Sequence, residues 1–203
     1  MMNFRTFVAH AFPIRPLIGS LAALLLVAGC ASEPSRLYTL TAASPRPPAP
    51  AAKPGRVIGL ESVGVPDYLR RPEIVVRTTG NRLNALEYAR WAGTLELMVN
   101  QTLLRNLNAA LEGAEVLQMP VRFELNPSNT VEVDLDRFDA EEEGQAVLEA
   151  RWRIYDSDGR PFRFGRTAVR KPVATPLDPG QVAAALSSAL GDLANDIGAV
   201  LRK

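Results

Sequence analysis

Apolar and polar side chains alternate along much of this chain, and a two-residue period of this kind predicts β-strands. Three of these stretches are long and separated by short turns, which predicts an antiparallel meander. Gly80 and Asn81 suit the tight turn of a separate hairpin. Pro120 interrupts one stretch, as is typical of an edge strand or a bulge. The predicted strands are residues 36–41, 56–65, 73–79, 82–88, 116–123, 130–138, 145–156 and 160–171.

A different period, with apolar residues every three or four positions, predicts a first amphipathic helix over residues 94–111. Thr94 is a suitable N-cap, and Gly113 is placed for a C-terminal stop. We expect this helix to cover the sheet. Its predicted apolar face comprises Leu97, Val99, Leu103, Leu104, Leu107, Ala110 and Leu111.

The same period predicts a second long helix near the C-terminal end of the sequence. Asp178 caps it, Pro179 takes the first helical position, and Gln181 completes a capping-box-like pair. Its polar side lacks a basic face, which favours packing on the core over lying on a membrane. Together the patterns predict an α/β (α+β) fold, a single domain in which a mainly antiparallel sheet is packed by two long amphipathic helices.

The N-terminal segment has the features of a lipoprotein signal peptide. Arg5 and Arg15 give it a positive flank, and its apolar core, residues 17–28, is shorter than the roughly 20 residues that a spanning helix needs. The sequence Val-Ala-Gly-Cys ending at Cys30 resembles the bacterial lipobox, in which the cysteine is lipidated. We predict cleavage before Cys30; the alternative is an ordinary buried thiol behind a plain secretory signal. Several acyl chains, palmitate among them, would make a lasting anchor, since one chain binds only reversibly.

These features divide the chain into a signal peptide of residues 1–29, a tether of residues 30–35 and a body of residues 36–203. Five prolines within residues 43–55 favour an extended linker inside that body. Residue 31 is alanine, whereas Gram-negative lipoproteins retained in the inner membrane usually carry aspartate there. This resemblance implies an anchor in the outer membrane and a body on its periplasmic face.

The composition after the signal peptide excludes several classes of function. The single histidine is His10, in the signal, and the single cysteine is Cys30, at the predicted lipidation site. The body therefore has no residues for a zinc site, a Cys–His nucleophile, a Ser–His–Asp triad or a disulfide. The chain has 23 basic and 22 acidic residues, so it has no basic footprint for nucleic acid. We predict neither a metal nor a cofactor.

Two motifs in the body resemble a known family. Residues 65–75 read VPDYLRRPEIV, and residues 86–92 read LEYARWA, followed by Leu95. They are similar to the V-P-x-Y-L-D-R-P-x-I-V and W-A-E-P-L segments of the PqiC-like auxiliary lipoproteins of MCE-type ABC transport systems. The early strand, the meander and the capped last helix also resemble that family, so the similarity covers nearly the whole body.

The sequence departs from the family pattern at two places. Arg70 stands where the family usually shows aspartate, so a local ion pair between that position and Arg71 is not expected. Gly93 and Thr94 stand where the family usually shows Glu-Pro, which alters the start of the first helix.

The resemblance implies a non-enzymatic accessory subunit of an intermembrane transport system for phospholipid or other hydrophobic compounds. Its partners would be an MCE-domain protein and, through the N-terminal lipid, the outer membrane. Other copies of the same chain, in a homo-oligomer, are a further possible partner. A different class with the same anchor and size is an assembly or pilot lipoprotein of another outer-membrane complex, such as one for lipopolysaccharide insertion.

The first motif and a tryptophan of the second supply a candidate docking site. Tyrosine, tryptophan and arginine are enriched at binding hot spots, and Pro66 and Pro72 would hold the segment rigid. The alternative is that the aromatic residues anchor the core while the arginines form a solvated rim. The candidate residues are Tyr68, Leu69, Arg70, Arg71, Pro72 and Trp91.

An acidic run later in the chain has two interpretations. Paired carboxylates can catalyse glycoside hydrolysis, which would suit a glycan or peptidoglycan substrate. Acidic residues that alternate on one strand face are more often solvated, and we predict a solvated face here. The run comprises Glu132, Asp134, Asp136, Asp139, Glu141, Glu142 and Glu143.

Overall fold

The computed structural model describes residues 33–43, 55–120 and 126–202. The signal peptide of residues 1–29, the lipidation site Cys30 and most of the linker of residues 43–55 lie outside the described residues. Those predictions are therefore not tested by the fold. Within the described residues, neither helix is at once long enough and apolar enough to cross a membrane.

The described residues form strands β1 to β8, helices α1 and α2, and one short 3-10 turn, Asp67–Leu69, between β2 and β3. The strands are β1 (Arg36–Tyr38), β2 (Val57–Leu60), β3 (Glu73–Arg77), β4 (Leu83–Trp91), β5 (Glu115–Gln118), β6 (Asn129–Glu141), β7 (Gln145–Asp156) and β8 (Pro161–Pro172). The helices are α1 (Leu95–Ala110) and α2 (Pro179–Leu201).

The predicted meander is confirmed. β6 pairs antiparallel with β7 along its whole length, and β7 pairs antiparallel with β8. Val131 stands opposite Ile154 and Val133 stands opposite Trp152, so large apolar residues share one face. Side chains directly opposite one another stabilise such a sheet through their mutual contacts.

The prediction of a mainly antiparallel sheet is only partly right, because the sheet is mixed. β1 runs parallel to β4, β2 runs parallel to both β5 and β6, and β3 runs parallel to β6; the β3–β4 hairpin is antiparallel. β6 is long enough for β2 to pair with its first residues and β3 with its last. Because both pairings are parallel, the segment from β2 to β3 runs alongside β6 in the same direction. Between them Gly64 lies so close to β6 that a Cβ there would come within 2.5 Å of Asp134 Oδ1.

An irregularity in β6 decides which of its residues reach the core. The pairing with β7 shifts between Leu135 and Arg137, and one extra residue in a strand exchanges its two faces. Before the shift Val131 and Val133 are buried; after it Phe138 and Ala140 are buried. Acidic and basic side chains occupy the other face, which we call the open face; the face that α2 packs against is the covered face.

Helix α1 matches its predicted range, but its apolar face is partly wrong. Leu97 is 57% exposed, whereas Leu95 is buried in its place. Three polar residues, Asn100, Thr102 and Asn106, are also buried. Asn106 is bonded to the chain after β1, since its Oδ1 accepts a hydrogen bond from Ala43 N at 2.9 Å.

Helix α2 begins as predicted at Asp178 and Pro179. The Asp178 carboxylate accepts a hydrogen bond from Gln181 N at 2.8 Å, which satisfies one free amide of the first turn. The Gln181 side chain does not return to the cap, because its Oε1 accepts from Ala174 N instead. Val182, Leu186, Leu190, Leu193 and Ile197 then form a continuous buried stripe over the sheet.

Candidate functional site

Five of the six candidate docking residues line one groove. It is open to solvent, has a volume of about 470 Å³, and lies between the segment that precedes β3 and the start of α1. Tyr68 is the exception. The lining residues are Val65, Leu69, Arg70, Arg71, Pro72, Trp91, Ala92, Gly93, Thr94, Leu95 and Glu96.

Local hydrogen bonds fix the segment that forms one wall of the groove. Pro66 precedes the 3-10 turn, and its carbonyl accepts from Leu69 N at 3.0 Å. The carbonyl of Pro72 accepts from Trp91 N at 2.7 Å, which joins this segment directly to β4. The two family-like motifs are therefore neighbours in space although residues 76–85 separate them in sequence.

The floor of the groove is apolar. Leu69, Trp91 and Leu95 are all nearly inaccessible to solvent and belong to the hydrophobic core. Trp91 is thus a core anchor that also contributes to the groove, so the two interpretations of this residue are compatible. The start of α1 forms the opposite wall, where Thr94 is the N-cap but makes no side-chain capping bond.

The rim carries two exposed arginines, each with an acidic neighbour. Arg70 lies 3.5 Å from Asp67, and Arg71 lies 3.1 Å from Glu73. The hydrogen bond from Arg71 holds the pKa of the Glu73 carboxyl below its usual range. Ion pairs this exposed contribute little to stability, so the arginines can exchange these partners for the carboxylates of another protein.

Tyr68 is held by the sheet instead of facing the groove. Its hydroxyl donates a 2.8 Å hydrogen bond to Asp139 Oδ2, and the guanidinium of Arg77 lies 5.9 Å from its ring centroid. Burial, and then the hydrogen bond to Asp139, raise the pKa of Tyr68 above its usual value. The structure therefore separates Tyr68 from the other five candidates: it positions the segment that carries them.

Asp139 is the residue that sequence reasoning misplaced. The side chain is fully buried and pairs with Arg137 at 2.6 Å and Arg77 at 3.2 Å. A buried carboxylate needs such partners, because an unpaired charge in the interior is costly. The alternation of Arg137, Asp139 and Glu141 along β6 was the available signal. We interpreted Asp139 as one member of a solvated run, and that prediction was wrong.

A model of the family described as "ABC-type transport auxiliary lipoprotein component" matches residues 38–198. The chain belongs to this family. The matched range extends from the end of β1 nearly to the end of α2, so it includes both walls of the groove. The family consists of transport auxiliary lipoproteins, which are not enzymes.

Two curated relatives carry the name intermembrane transport lipoprotein PqiC. They come from Escherichia coli (strain K12) and Shigella flexneri, and each is 27% identical to this chain over 147 residues. The alignment covers 70% of this chain and 77% of each relative.

Solved structures share the fold of this auxiliary lipoprotein. The crystal structure of an uncharacterized protein superposes with a TM-score of 0.70 at 20% identity, covering 83% of this chain and 99% of that one. Protein XCC0632 from Xanthomonas campestris gives a TM-score of 0.64 at 20% identity, covering 81% and 93%. The mixed sheet with two helices is therefore an established architecture.

Five of the seven residues in the acidic run of this auxiliary lipoprotein pair with arginines on the open face; the other two are Glu142 and Glu143. Glu132 lies 3.0 Å from Arg153, and Asp136 lies 2.8 Å from Arg151. Hydrogen bonds from Tyr155 and Arg153 lower the pKa of Glu132, whereas a glycosidase acid needs a raised pKa to keep its proton. This arrangement argues against the hydrolytic interpretation.

Proposed function

We propose that this protein is an accessory subunit of an MCE-type intermembrane lipid transport system. In this proposal Cys30 anchors it by acyl chains in the outer membrane, and the groove beside α1 docks the MCE-domain protein. Membership in the transport auxiliary lipoprotein family supports the transport role. The two PqiC relatives, named as intermembrane transport lipoproteins, support the intermembrane setting.

The observation that carries the docking proposal is the convergence of two segments on one groove. Leu69, Arg70, Arg71 and Pro72 come from the first family-like motif and Trp91 from the second, yet all five line the same open surface. An apolar centre with a polar rim is the usual anatomy of a protein interface.

The groove also indicates what kind of partner segment it accommodates. Leu69 and Leu95 offer an apolar floor, while Arg70 and Arg71 stand exposed at the rim. An apolar side chain flanked by carboxylates would satisfy both features, since arginine binds carboxylates through two parallel hydrogen bonds. We propose that the MCE protein presents such a segment.

The position of the proposed anchor suits this role. β1 begins at Arg36, only six residues after Cys30. Six extended residues span at most about 20 Å, so the acyl chains would keep the groove close to the bilayer. A docking surface close to the outer membrane would connect a partner that spans the periplasm to that membrane, where the transported lipid is received or released.

Affinity measurements with a rim variant test the docking role. The double variant Arg70→Ala with Arg71→Ala, captured on a surface carrying the MCE protein, should bind about tenfold more weakly or worse. Arg105→Ala is the matched control, because Arg105 is an exposed arginine on α1 that does not line the groove. Unchanged affinity in a double variant that melts like the parent would overturn the proposal.

The anchor is tested independently of docking. Mass spectrometry of the mature N-terminal peptide should show a diacylglyceryl and an acyl group on Cys30, and density fractionation should place the protein with outer-membrane markers. An unmodified thiol at Cys30 would contradict the anchoring part and leave the docking measurement unaffected.

A further inference from the structure

The β7–β8 hairpin ends in two exposed phenylalanines. Phe164 is 84% exposed and Phe162 is 45% exposed, and Phe164 is the most exposed large apolar side chain among the residues that the structure describes. Three arginines, Arg160, Arg163 and Arg166, lie within the same seven residues. We call Arg160, Phe162, Arg163, Phe164 and Arg166 the aromatic tip.

The strand register explains why these rings are left uncovered. Phe164 stands opposite Arg153, which belongs to the open face. The pairing of β7 with β8 shifts between Ile154 and Tyr155, so Phe162 falls outside the regular pairs. β8 pairs with β7 alone, so its outer edge has no strand partner within the described residues.

The charges around the rings are mainly positive. The Arg163 guanidinium lies 4.4 Å from the Phe162 ring centroid, and among the described residues neither Arg163 nor Arg166 has an ion pair. Arg160 lies 3.4 Å from Asp158. Asp156 Oδ1 is occupied by the backbone amides of Asp158 and Arg160.

The acidic side chain nearest in register is also paired. Glu132 stands opposite Arg153, which in turn stands opposite Phe164. Its carboxylate accepts from the Tyr155 hydroxyl at 2.7 Å and lies 3.0 Å from Arg153. The two unpaired positive charges beside the rings, on Arg163 and Arg166, are therefore available to an external anion.

We propose that the aromatic tip binds the surface of a membrane containing anionic phospholipid. Phenylalanine has no polar atom and gains free energy by entering the boundary between head groups and acyl chains. Arginine binds phosphate through a planar pair of donors, and each basic residue near an anionic surface adds attraction. Two phenyl rings interleaved with unpaired arginines satisfy both requirements of that interface.

This contact would give the anchored protein a fixed orientation. The aromatic tip lies at the end of the sheet where β6 begins, separated from β6 by β7, whereas the β3–β4 hairpin lies where β6 ends. A lipid chain alone leaves the body free to rotate on its tether. A second contact at the tip would set the direction in which the groove faces.

The inference rests on the proposed function only in requiring that the body be near a bilayer. The acylated protein is purified from membranes, its acyl chains are verified by mass spectrometry, and it is reconstituted into phosphatidylcholine vesicles with or without phosphatidylglycerol. Phe164→Trp then reports depth through quenching by brominated acyl chains. Leu83→Trp is the matched control, because Leu83 is 37% exposed at the opposite end of the sheet.

We expect quenching at position 164 to exceed that at position 83 several-fold in vesicles containing phosphatidylglycerol. The native Trp91 and Trp152 are buried, so the parent protein supplies the background. Combining Phe164→Trp with Arg163→Glu and Arg166→Glu should remove most of the difference, since two attractive charges become repulsive. Melting temperature and circular dichroism confirm that these variants are folded.

Three results would overturn the inference. Equal quenching at positions 164 and 83 would mean that the tip does not touch the bilayer. Burial of position 164 only when the MCE protein is added would mean that the tip binds that protein instead, for example by strand addition to β8. Quenching that survives both charge reversals would exclude recognition of anionic lipid. Loss of affinity for the MCE protein in the Arg70 and Arg71 variant is a separate result, since those residues lie outside the aromatic tip.

Discussion

β7 shows the contrast between the two faces of the sheet within one strand. On the covered face it places Leu148 and Ile154, which are fully buried. On the open face it places Arg151 and Arg153, each more than 40% exposed and paired with carboxylates of β6. Burial of a large aliphatic side chain stabilises by about 1.5–3 kcal/mol, whereas an exposed ion pair contributes about 0–1 kcal/mol. The covered face therefore determines stability, and the open face is free to carry contacts with other molecules.

Asp139 is the buried charge on the open face, where it stands opposite the buried Val147. Its carboxylate is fully buried beneath Tyr68, Arg77 and Arg137. It therefore behaves energetically like a core residue, and through Tyr68 it also fixes the segment that forms a wall of the groove. The comparison predicts that substitutions of exposed residues on the open face are tolerated, whereas substitutions of Asp139 and Val147 are not.

The largest loss of stability should come from Leu148→Ala. Leu148 is fully buried on the covered face, so the substitution removes apolar contacts and leaves a cavity, at a cost of about 2–5 kcal/mol. Urea denaturation measures the change in the free energy of unfolding. A loss below about 1 kcal/mol would show that the covered face is not the source of stability.

Asp139→Asn should follow, with a loss of about 3 kcal/mol, because the half-buried Arg77 and Arg137 lose the buried charge that neutralises them. The effect should also be local, since trypsin should cleave after Arg70 faster than in the parent as the Tyr68 segment loosens. Asp136→Asn is the control: Asp136 belongs to an exposed pair. Equal cleavage rates in the two variants would refute the link between Asp139 and the groove.

Acid should destabilise the protein through the open face. Hydrogen bonds from Tyr155 and Arg153 hold the folded-state pKa of Glu132 below its usual 4.5. A depressed pKa in the folded state contributes stability above the unfolded value, and that contribution is lost as the pH falls through the folded value. The urea midpoint should therefore drop as the pH falls below about 4.5 and through the lowered folded-state pKa. The drop should be smaller in Glu132→Gln; an identical pH profile would contradict the assignment.

The smallest effect should come from Arg151→Ala. Arg151 is 44% exposed and its partner Asp136 is 43% exposed, so solvent screens the pair. We expect a loss of about 0–1 kcal/mol, reduced further by salt. A loss as large as that of Leu148→Ala would erase the distinction between the two faces.

Local patterns allowed much of this fold to be predicted. The meander of β6, β7 and β8 and the start of α2 at Asp178 depend on residues close in sequence, where period and capping chemistry are sufficient. The parallel pairings of β2 with β5 and β6 depend on residues about 60–70 positions apart. Such contacts leave no periodic signal, so we predicted a mainly antiparallel sheet.

The candidate site was predicted only in part. The motifs identified five residues of the groove because the family resemblance marks them together. The partner of Tyr68 was not foreseen, since Asp139 lies 71 residues away on a strand that appeared solvated. Leu97 is predicted to pack because helical period alone cannot tell where the sheet ends and solvent begins. Leu95, two residues earlier and on the other side of the helix, packs instead.

Site-specific photo-crosslinking in intact cells tests the central claim most directly. A photoreactive amino acid at Thr94, exposed in the groove, should give a covalent adduct with the MCE-domain protein, identified by mass spectrometry. The same group at Arg105, exposed on α1 outside the groove, should give none. An adduct with the MCE protein from position 105 but not from position 94, or no such adduct from either, would contradict docking through the groove.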